Sequence, residues 1–531
     1  MNTHAAVVTS RPAIAGTPRL SPLEKIGYSC GDAAANFVFM SMVLFQPSFY
    51  TDVFGISASA AAAVLLIARG LDALVDPVVG YLADRTRTRW GKFRPWILAS
   101  AGPLAVLMVL TYTTPEVSMT MRICYAIVTN ALLMSVYSMN NMPYAALGSV
   151  MTSDVHERAK LNAWRFISVN IAQFIVGGLT LPLVAKFSVG HDRQYGWQVT
   201  MGLWAAICVV LFLFTFSTTR ERVRTPSRQA ASIRLDIATL LKCRPWAVLL
   251  VLTLLQFGLL SFRGSALYDY YHYYAAEPGM YRLLQNLGLT LPAHRHPSTI
   301  LVRTLTTLGY IVRGDAAGIS SNIADVFNSI INVLNTVVTI VVLLVSPALS
   351  RKFGRKAVAV AGFGLAAVAT IFFYALRPGD AWGMVAVTAV IAACYAPTVP
   401  LLWVMYADVT DYMEWTVGRR LDGVTFAIIG VALKFGLACG SSGFLWVMTG
   451  FFRYNASNPY APMTVSGFKV CSTVITGILI ALCAVVTGFY ELNKRTTLRM
   501  ADELTIRRNR DALGETLASS PMGACAGDPI A

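Results

Sequence analysis

Twelve apolar runs, each long enough to cross a bilayer, follow one another between Gly27 and Tyr490, most of them separated by short polar links. A spanning helix needs about 20 residues, and in lipid only a helix satisfies every backbone group within its own segment. That constraint predicts an all-α membrane protein with twelve transmembrane helices. The composition agrees. Of 531 residues 56% are apolar and 13% charged, and that charge is about half of what a soluble domain carries. Nine cysteines show no Cys-x-x-Cys spacing, and most fall within apolar runs. They read as small buried hydrophobes, neither a metal centre nor a disulfide frame.

The runs divide into two six-helix bundles, 27–218 and 246–490. A tail at 1–26 precedes them, a basic link at 219–245 joins them, and a second tail at 491–531 follows. The net charge of +16 sits mostly in short links, so the positive-inside rule explains it better than nucleic-acid binding. RTRTRWGKFRPW after the second run, the link after the sixth, SRKFGRK after the eighth and the final tail all fall on one side when runs alternate. That side is assigned to the cytoplasm together with both termini, which gives a multi-pass protein of the cell's inner membrane surrounded by lipid. On the opposite side, residues 276–320 form an unusually long link with Pro278, Pro292, Pro297, His294 and His296. It reads either as an outer lid that contacts a periplasmic partner or as a tolerated surface insertion.

Polar residues inside the runs carry the functional signal. Arg69, Asp72 and Asp76 stand at i, i+3 and i+7, on one helix face. A charge at mid-bilayer costs about 2.5–3.5 kcal/mol even on the lenient insertion scale. Two carboxylates one turn apart repel unless a proton or metal ion lies between them. The pair therefore reads as a cation switch, against the plainer reading of a structural Arg69–Asp72 ion pair. Other runs contribute Asp32 and Asn36, then Tyr137, Ser138 and Asn141, and further along Arg165, Arg263, Tyr270 and Lys434. Hydroxyls, amides and aromatic faces of this kind recognise a sugar, although a Tyr-rich span end is also a common interfacial belt. None of the six histidines lies near the middle of a run, so coupling is expected on carboxylates. No Walker, HExxH or GxSxG motif is present, and the chain is not expected to be an enzyme or to need a cofactor.

Several stretches resemble the glycoside–pentoside–hexuronide:cation symporters, the melibiose permease relatives within the major facilitator superfamily. They are KIGYSCGDAAANF from Lys25, FYTDVFG from Phe49, LDALVDPVVG with RTRTRWGKFRPW, YSMNNMPYAAL from Tyr137, and DYMEWTVGRR from Asp411. The resemblance implies the major facilitator fold, with a binding site between the bundles near mid-membrane. It implies that Asp72 and Asp76 are cation-site carboxylates for Na⁺ or H⁺, with Ser138 in the place of a Thr that helps hold sodium. It implies that Tyr137, Arg165 and Lys434 line or brace the sugar and cation sites. Asn36 and Asn141 stand where melibiose-type members have acids, and Val75 replaces an Asn of the sodium site. Those departures turn the expectation away from galactosides and toward protons.

The resulting expectation is cation-coupled import of a glycoside, oligosaccharide or uronide by alternating access. An exporter, an uncoupled facilitator and a transporter-like sugar sensor are the alternatives. Cation-binding residues are Asp72, Asp76 and Ser138. Substrate-binding residues are Asp32, Asn36, Arg69, Tyr137, Asn141, Arg165, Arg263, Tyr270 and Lys434. Arg85, Arg89, Arg158 and Arg420, facing Asp408 and Asp411, are expected to form a cytoplasmic gate of breakable ion pairs, individually weak.

Overall fold

The structure is a computed structural model that describes residues 20–152, 155–222, 239–292, 299–315, 318–319, 322–418, 422–455, 458–497, 499–500, 502–504 and 506. Twelve helical segments are long and apolar enough to cross a membrane. They are Pro22–Val53, Ala58–Ala83, Arg94–Thr111, Met119–Gly148, Lys160–Phe187 and Arg193–Thr218, then Arg244–Tyr274, Ile323–Phe353, Arg355–Ala375, Ala381–Val417, Ile428–Gly450 and Pro462–Gly488. We number them as spans one to twelve.

Local sequence sets several boundaries. Ser21 caps the first span in a full capping box with Glu24, and Pro22 occupies the first turn, where its missing N–H costs nothing. Spans one, seven and twelve each contain a π turn, at Phe49–Val53, Tyr270–Tyr274 and Cys471–Ile475. A π turn inserts extra backbone, so the side chains beyond it leave the phase of the preceding helix.

Spans one to six pack on one another, and so do spans seven to twelve. The two halves meet chiefly where span one packs on seven, two on eleven and five on eight, with a smaller contact between one and eleven. The first-half core runs without a break into Phe262, Ala266, Tyr268, Phe444, Met448 and Tyr454 of the second half. All of these lie toward the end away from the basic links. At the basic end several described carboxylates pair within their own half. Glu157 binds Lys25 at 2.6 Å and Lys160 at 3.0 Å, and hydrogen bonding to these lysines holds its carboxyl down to about 2. Arg222 binds Glu24 at 2.5 Å. The Glu221 carboxylate accepts the backbone N–H groups of Lys92, Phe93 and Arg94, tying the sixth span's exit to the entry of the third.

The 276–320 link is folded. Helices Glu277–Asn286 and Ile300–Thr307 flank a small sheet in which Thr290–Pro292 pairs in parallel with Val312–Asp315, and that strand pairs antiparallel with Gly318–Ile319. Met280, Leu283, Leu284 and Val312 bury against Tyr270, Tyr271 and Phe327 of the second half. The link also reaches the first half: Tyr310 donates to the Gly178 carbonyl at 2.8 Å and Lys186 to the Thr307 carbonyl at 2.5 Å. His294, His296 and Pro297 lie outside the described residues.

Spans seven and eleven are the closest pair, because Gly258, Gly436 and Gly440 face each other. A Cβ on Gly436 would come to 2.5 Å from the Leu254 carbonyl oxygen, an atom that no side-chain rotation moves. Small residues permit this approach, and membrane helices depend on it because lipid supplies no hydrophobic drive between them. Gly436→Leu should therefore lower the thermal midpoint of the purified protein, at a cost of about 1–3 kcal/mol. Gly430→Leu, on the same helix with nothing within 4 Å of its Cβ position, should change the midpoint little.

Candidate coupling and substrate site

The Lys434 side chain of span eleven crosses from the second half to span two. Its ammonium lies 2.9 Å from Asp72 Oδ2 and 2.6 Å from Asp76 Oδ2. It also lies 2.8 Å from the Ser138 hydroxyl, which donates to Asp72 Oδ1 at 2.6 Å. The positive charge that the two carboxylates require is thus supplied by the protein itself. Asp72 is 1% exposed and Ser138 likewise, while Asp76 and Lys434 are half-buried, so charge pairing is worth most on the Asp72 side of the network. One carboxylate oxygen, Asp76 Oδ1, is buried with no hydrogen-bond partner. Two carboxylates, a hydroxyl and a vacant lone pair form an oxygen set that suits a proton or a sodium ion.

Arg69 is also buried, close enough to Asp72 and Tyr137 to feel both. It makes no ion pair among the described residues, so the structural Arg69–Asp72 pair is replaced by the Lys434 bridge. Asp32 is taken up by Arg165 at 2.5 Å, within the first half. The Arg165 guanidinium lies 5.9 Å from the Tyr144 ring centroid. The Asn36 amide donates to the Asp32 backbone carbonyl at 2.9 Å and accepts from Gln173 at 3.5 Å. Tyr137 stacks on Phe39, with centroids 6.4 Å apart, and Asn141 is half-buried on the same span.

Arg263 lines a cavity of about 130 Å³ between the halves, with Tyr271, Asn328, Asn332, Asn335 and Tyr395 among its walls. Tyr270 is not part of it. That ring is fully buried against Tyr271, Tyr274 and Phe373. The π turn that begins at Tyr270 presents Tyr271, one residue further, to the cavity.

Part of the expected cytoplasmic gate is described. Asp408 pairs with Arg355 of the adjacent ninth span, inside the second half. Arg85 stacks over Tyr81 at 4.1 Å and Arg89 over Trp90 at 4.6 Å, both within the first half. Asp411 is half-buried. The Arg158 side chain and Arg420 lie outside the described residues.

A further clasp between the halves sits at the opposite end. Arg193 of span six reaches Asp325 of span eight at 2.9 Å and the Tyr268 hydroxyl at 3.3 Å. The two ring nitrogens of His272 face Asp325 and the Tyr268 carbonyl, at 2.8 Å each. Asp52 of span one accepts from Tyr273 at 3.0 Å and Tyr454 at 3.2 Å, and the Ser48 hydroxyl donates to the buried Asp269 at 3.3 Å. The available signal was a histidine set among tyrosines in YYHYY, with a matching FYTDV at the end of span one. The Tyr-rich end of span seven reads as an interfacial belt, and FYTDV belongs to one of the stretches that carry the family resemblance.

Comparison with known proteins fixes the family. The model of the MFS/sugar transport protein family matches residues 27–294 and 322–494. The chain belongs to that family. It is a member of the glycoside–pentoside–hexuronide:cation symporters. The break in the match, 295–321, covers the second half of the outer link and one residue beyond it. Among curated relatives, the inner membrane symporter YicJ of Escherichia coli is 30% identical over 92% of this chain and 96% of its own length. The putative glycoside/cation symporter YagG of the same organism is 31% identical over 95% and 99%. The isoprimeverose transporter of Lactiplantibacillus pentosus is 26% identical over 90% of each chain. The crystal structure of a D-xylose–proton symporter superposes with a TM-score of 0.55 at 14% identity, covering 88% of this chain and 96% of the other. The fold is therefore that of the major facilitators, and the chain belongs among transporters, not enzymes.

Lys434→Gln removes the ammonium and leaves Asp72 facing Asp76 across one helical turn. Protonation relieves that repulsion. The variant's thermal midpoint should fall well below that of the parent at about pH 8, and the gap should narrow as the pH is lowered to about 5. A pH-independent gap in a thermal-shift series would show that the ammonium does not neutralise these acids.

Proposed function

We propose that the protein imports a sugar together with a cation, Na⁺ or H⁺, by alternating access across the inner membrane, with the basic links and both termini in the cytoplasm. The observation that carries this reading is the Lys434 bridge to Asp72 and Asp76. The ammonium stands where a coupling ion would bind, and it belongs to the other half. A cation that takes the carboxylates displaces Lys434 and releases the tether between spans two and eleven. Ion arrival and relative movement of the halves then become one event, which is the differential affinity that coupling requires.

The relatives' printed names, a glycoside/cation symporter and an isoprimeverose transporter, support a sugar as cargo. Asp32 with Arg165, Asn36, Tyr137 and Asn141 offer the sugar hydrogen bonds and a ring face from the first half, and Arg263 faces it from the second. The bonds among Arg193, His272 and Asp325 keep the outer end shut in the present conformation. Ion binding at the carboxylates favours the outward-open form that admits the sugar.

Asp76→Asn should fold and insert but fail to concentrate a radiolabelled glycoside in energised cells, while still equilibrating it down a gradient. Concentrative uptake at the parent level by that variant would refute the coupling role. For the clasp, Asp325→Asn should raise the rate at which a cysteine placed at Phe45 reacts with an impermeant maleimide added outside intact cells, by about threefold or more, since a charge-assisted bond contributes about 1.5–3 kcal/mol. An unchanged rate would show that the clasp does not hold the outer end.

A further inference from the structure

Pro182 leaves one carbonyl of span five without its helix partner, and the outer link supplies another. Pro182 lies inside span five and has no N–H to give the Gly178 carbonyl, one turn before it. Within a membrane such a freed group needs a donor from elsewhere. The Tyr310 hydroxyl donates to it at 2.8 Å. The neighbouring Gly177 carbonyl accepts from the Asn332 amide of span eight at 3.3 Å. Gly178 makes room for this approach: a Cβ there would come to 2.7 Å from the Val333 side chain of span eight and 3.1 Å from the Tyr310 hydroxyl. Both of these donors reach the first-half kink from beyond span seven.

The link's own sequence aims Tyr310 there. Helix Ile300–Thr307 ends before Gly309, whose φ of 81° suits glycine and few other residues. The Gly309 N–H donates to the Thr306 carbonyl at 3.1 Å and the Tyr310 N–H to the Leu305 carbonyl at 2.9 Å, the paired bonds of a Schellman motif. That turn sets Tyr310 just past the helix end. Gly309 itself lies against span five, where a Cβ on it would meet the Pro182 carbonyl oxygen at 2.2 Å. With Lys186 on the Thr307 carbonyl, the link holds span five by polar and backbone contacts. Its hold on the second half is of another kind. Met280, Leu283, Leu284 and Val312 sit in the apolar core, and the Ala276 N–H donates to the Pro378 carbonyl at 2.8 Å.

We propose that residues 299–315 are a latch: anchored in the second half, they hold the kink of span five through Tyr310, and they leave it each time the outer end opens. This rests on the alternating access proposed above. When the halves part at that end, spans five and eight separate. The contact that yields is the one made of a few hydrogen bonds, not the one made of a buried apolar core. Water entering the seam then takes the Gly178 carbonyl, so the group does not go unpaired. The latch favours the outer-closed form by what one net hydrogen bond contributes, about three- to tenfold in population. Its helix and Tyr310 fall wholly within 295–321, the stretch that the family model does not match. The latch is therefore this chain's own addition to the shared fold.

Two measurements on the full-length protein in intact cells test this, and neither needs a sugar. In the first, with the reporter cysteine at Phe45, Tyr310→Phe should raise the rate of reaction with an impermeant maleimide by about three- to tenfold. Tyr281→Phe, on the part of the link that packs on the second half, should leave the rate unchanged. No rise in Tyr310→Phe overturns the latch, and so does an equal rise in Tyr281→Phe. In the second, cysteines replace Lys186 and Thr307, whose contact joins link to span five, and a protease site is placed in the 219–245 link. A short bifunctional thiol reagent should then keep the halves together on a denaturing gel after cutting, with the protein lacking the added pair as the blank. Adding Asp325→Asn to release the clasp should lower the cross-linked fraction as Phe45 becomes reactive. A fraction that stays at the parent level while Phe45 becomes reactive would mean that the outer end opens with the latch seated, and would overturn the proposal. This arm keeps Tyr310, so it stands even where Tyr310→Phe fails to fold. If Asp325→Asn leaves Phe45 unreactive, the clasp reading falls and the Tyr310→Phe rate decides the latch by itself.

Discussion

One ammonium holds the two halves of this protein in electrostatic register. Asp72 and Asp76 project from the same face of span two, and neither is tolerable in a dry interior as a bare charge. The chain solves this by sending Lys434 across from span eleven, so the same contact that makes the acids tolerable also joins the bundles. Breaking such a buried pair by removing one partner is expensive. Under the proposed symport, an incoming cation would take the place of the ammonium and would not leave the acids bare.

Around that centre the contacts are unevenly distributed. Toward the end away from the basic links, Arg193, His272 and Asp325, and Asp52 with Tyr273 and Tyr454, bind one half to the other, and the apolar cores merge. At the basic end Glu24, Glu157, Glu221 and Asp408 each find partners in their own half. The outer link adds to the closed end by reaching span five through Tyr310 and Lys186. Among the described residues, the charged contacts that cross between the halves outside the Lys434 bridge thus gather at the end away from the basic links.

How much of this the sequence revealed follows from the physics of each signal. Span number was legible because length and apolarity are summed over some twenty residues, and lipid enforces them. Asp72 and Asp76 were legible because an acid inside an apolar run is rare and costly. Partners were not. Charge counting places Asp408 at the basic end but cannot tell that Arg355, on a neighbouring helix of the same half, reaches it first. Nor could spacing show that Lys434 would fill the gap between the two acids, since that depends on the tilt of span eleven against span two. Tyr270 illustrates the finest limit. A π turn starts at that residue, so the helical phase that would aim it inward is interrupted, and Tyr271 faces the cavity instead.

The glycine contact between spans seven and eleven bears on how motion is transmitted. Gly258, Gly436 and Gly440 bring the two backbones into direct contact, so that displacement of either helix presses on the other. Arg263 is carried by one of these helices and Lys434 by the other. The two therefore behave as levers on a single stiff beam, and any displacement that draws the ammonium off its carboxylates also shifts the guanidinium relative to whatever it holds.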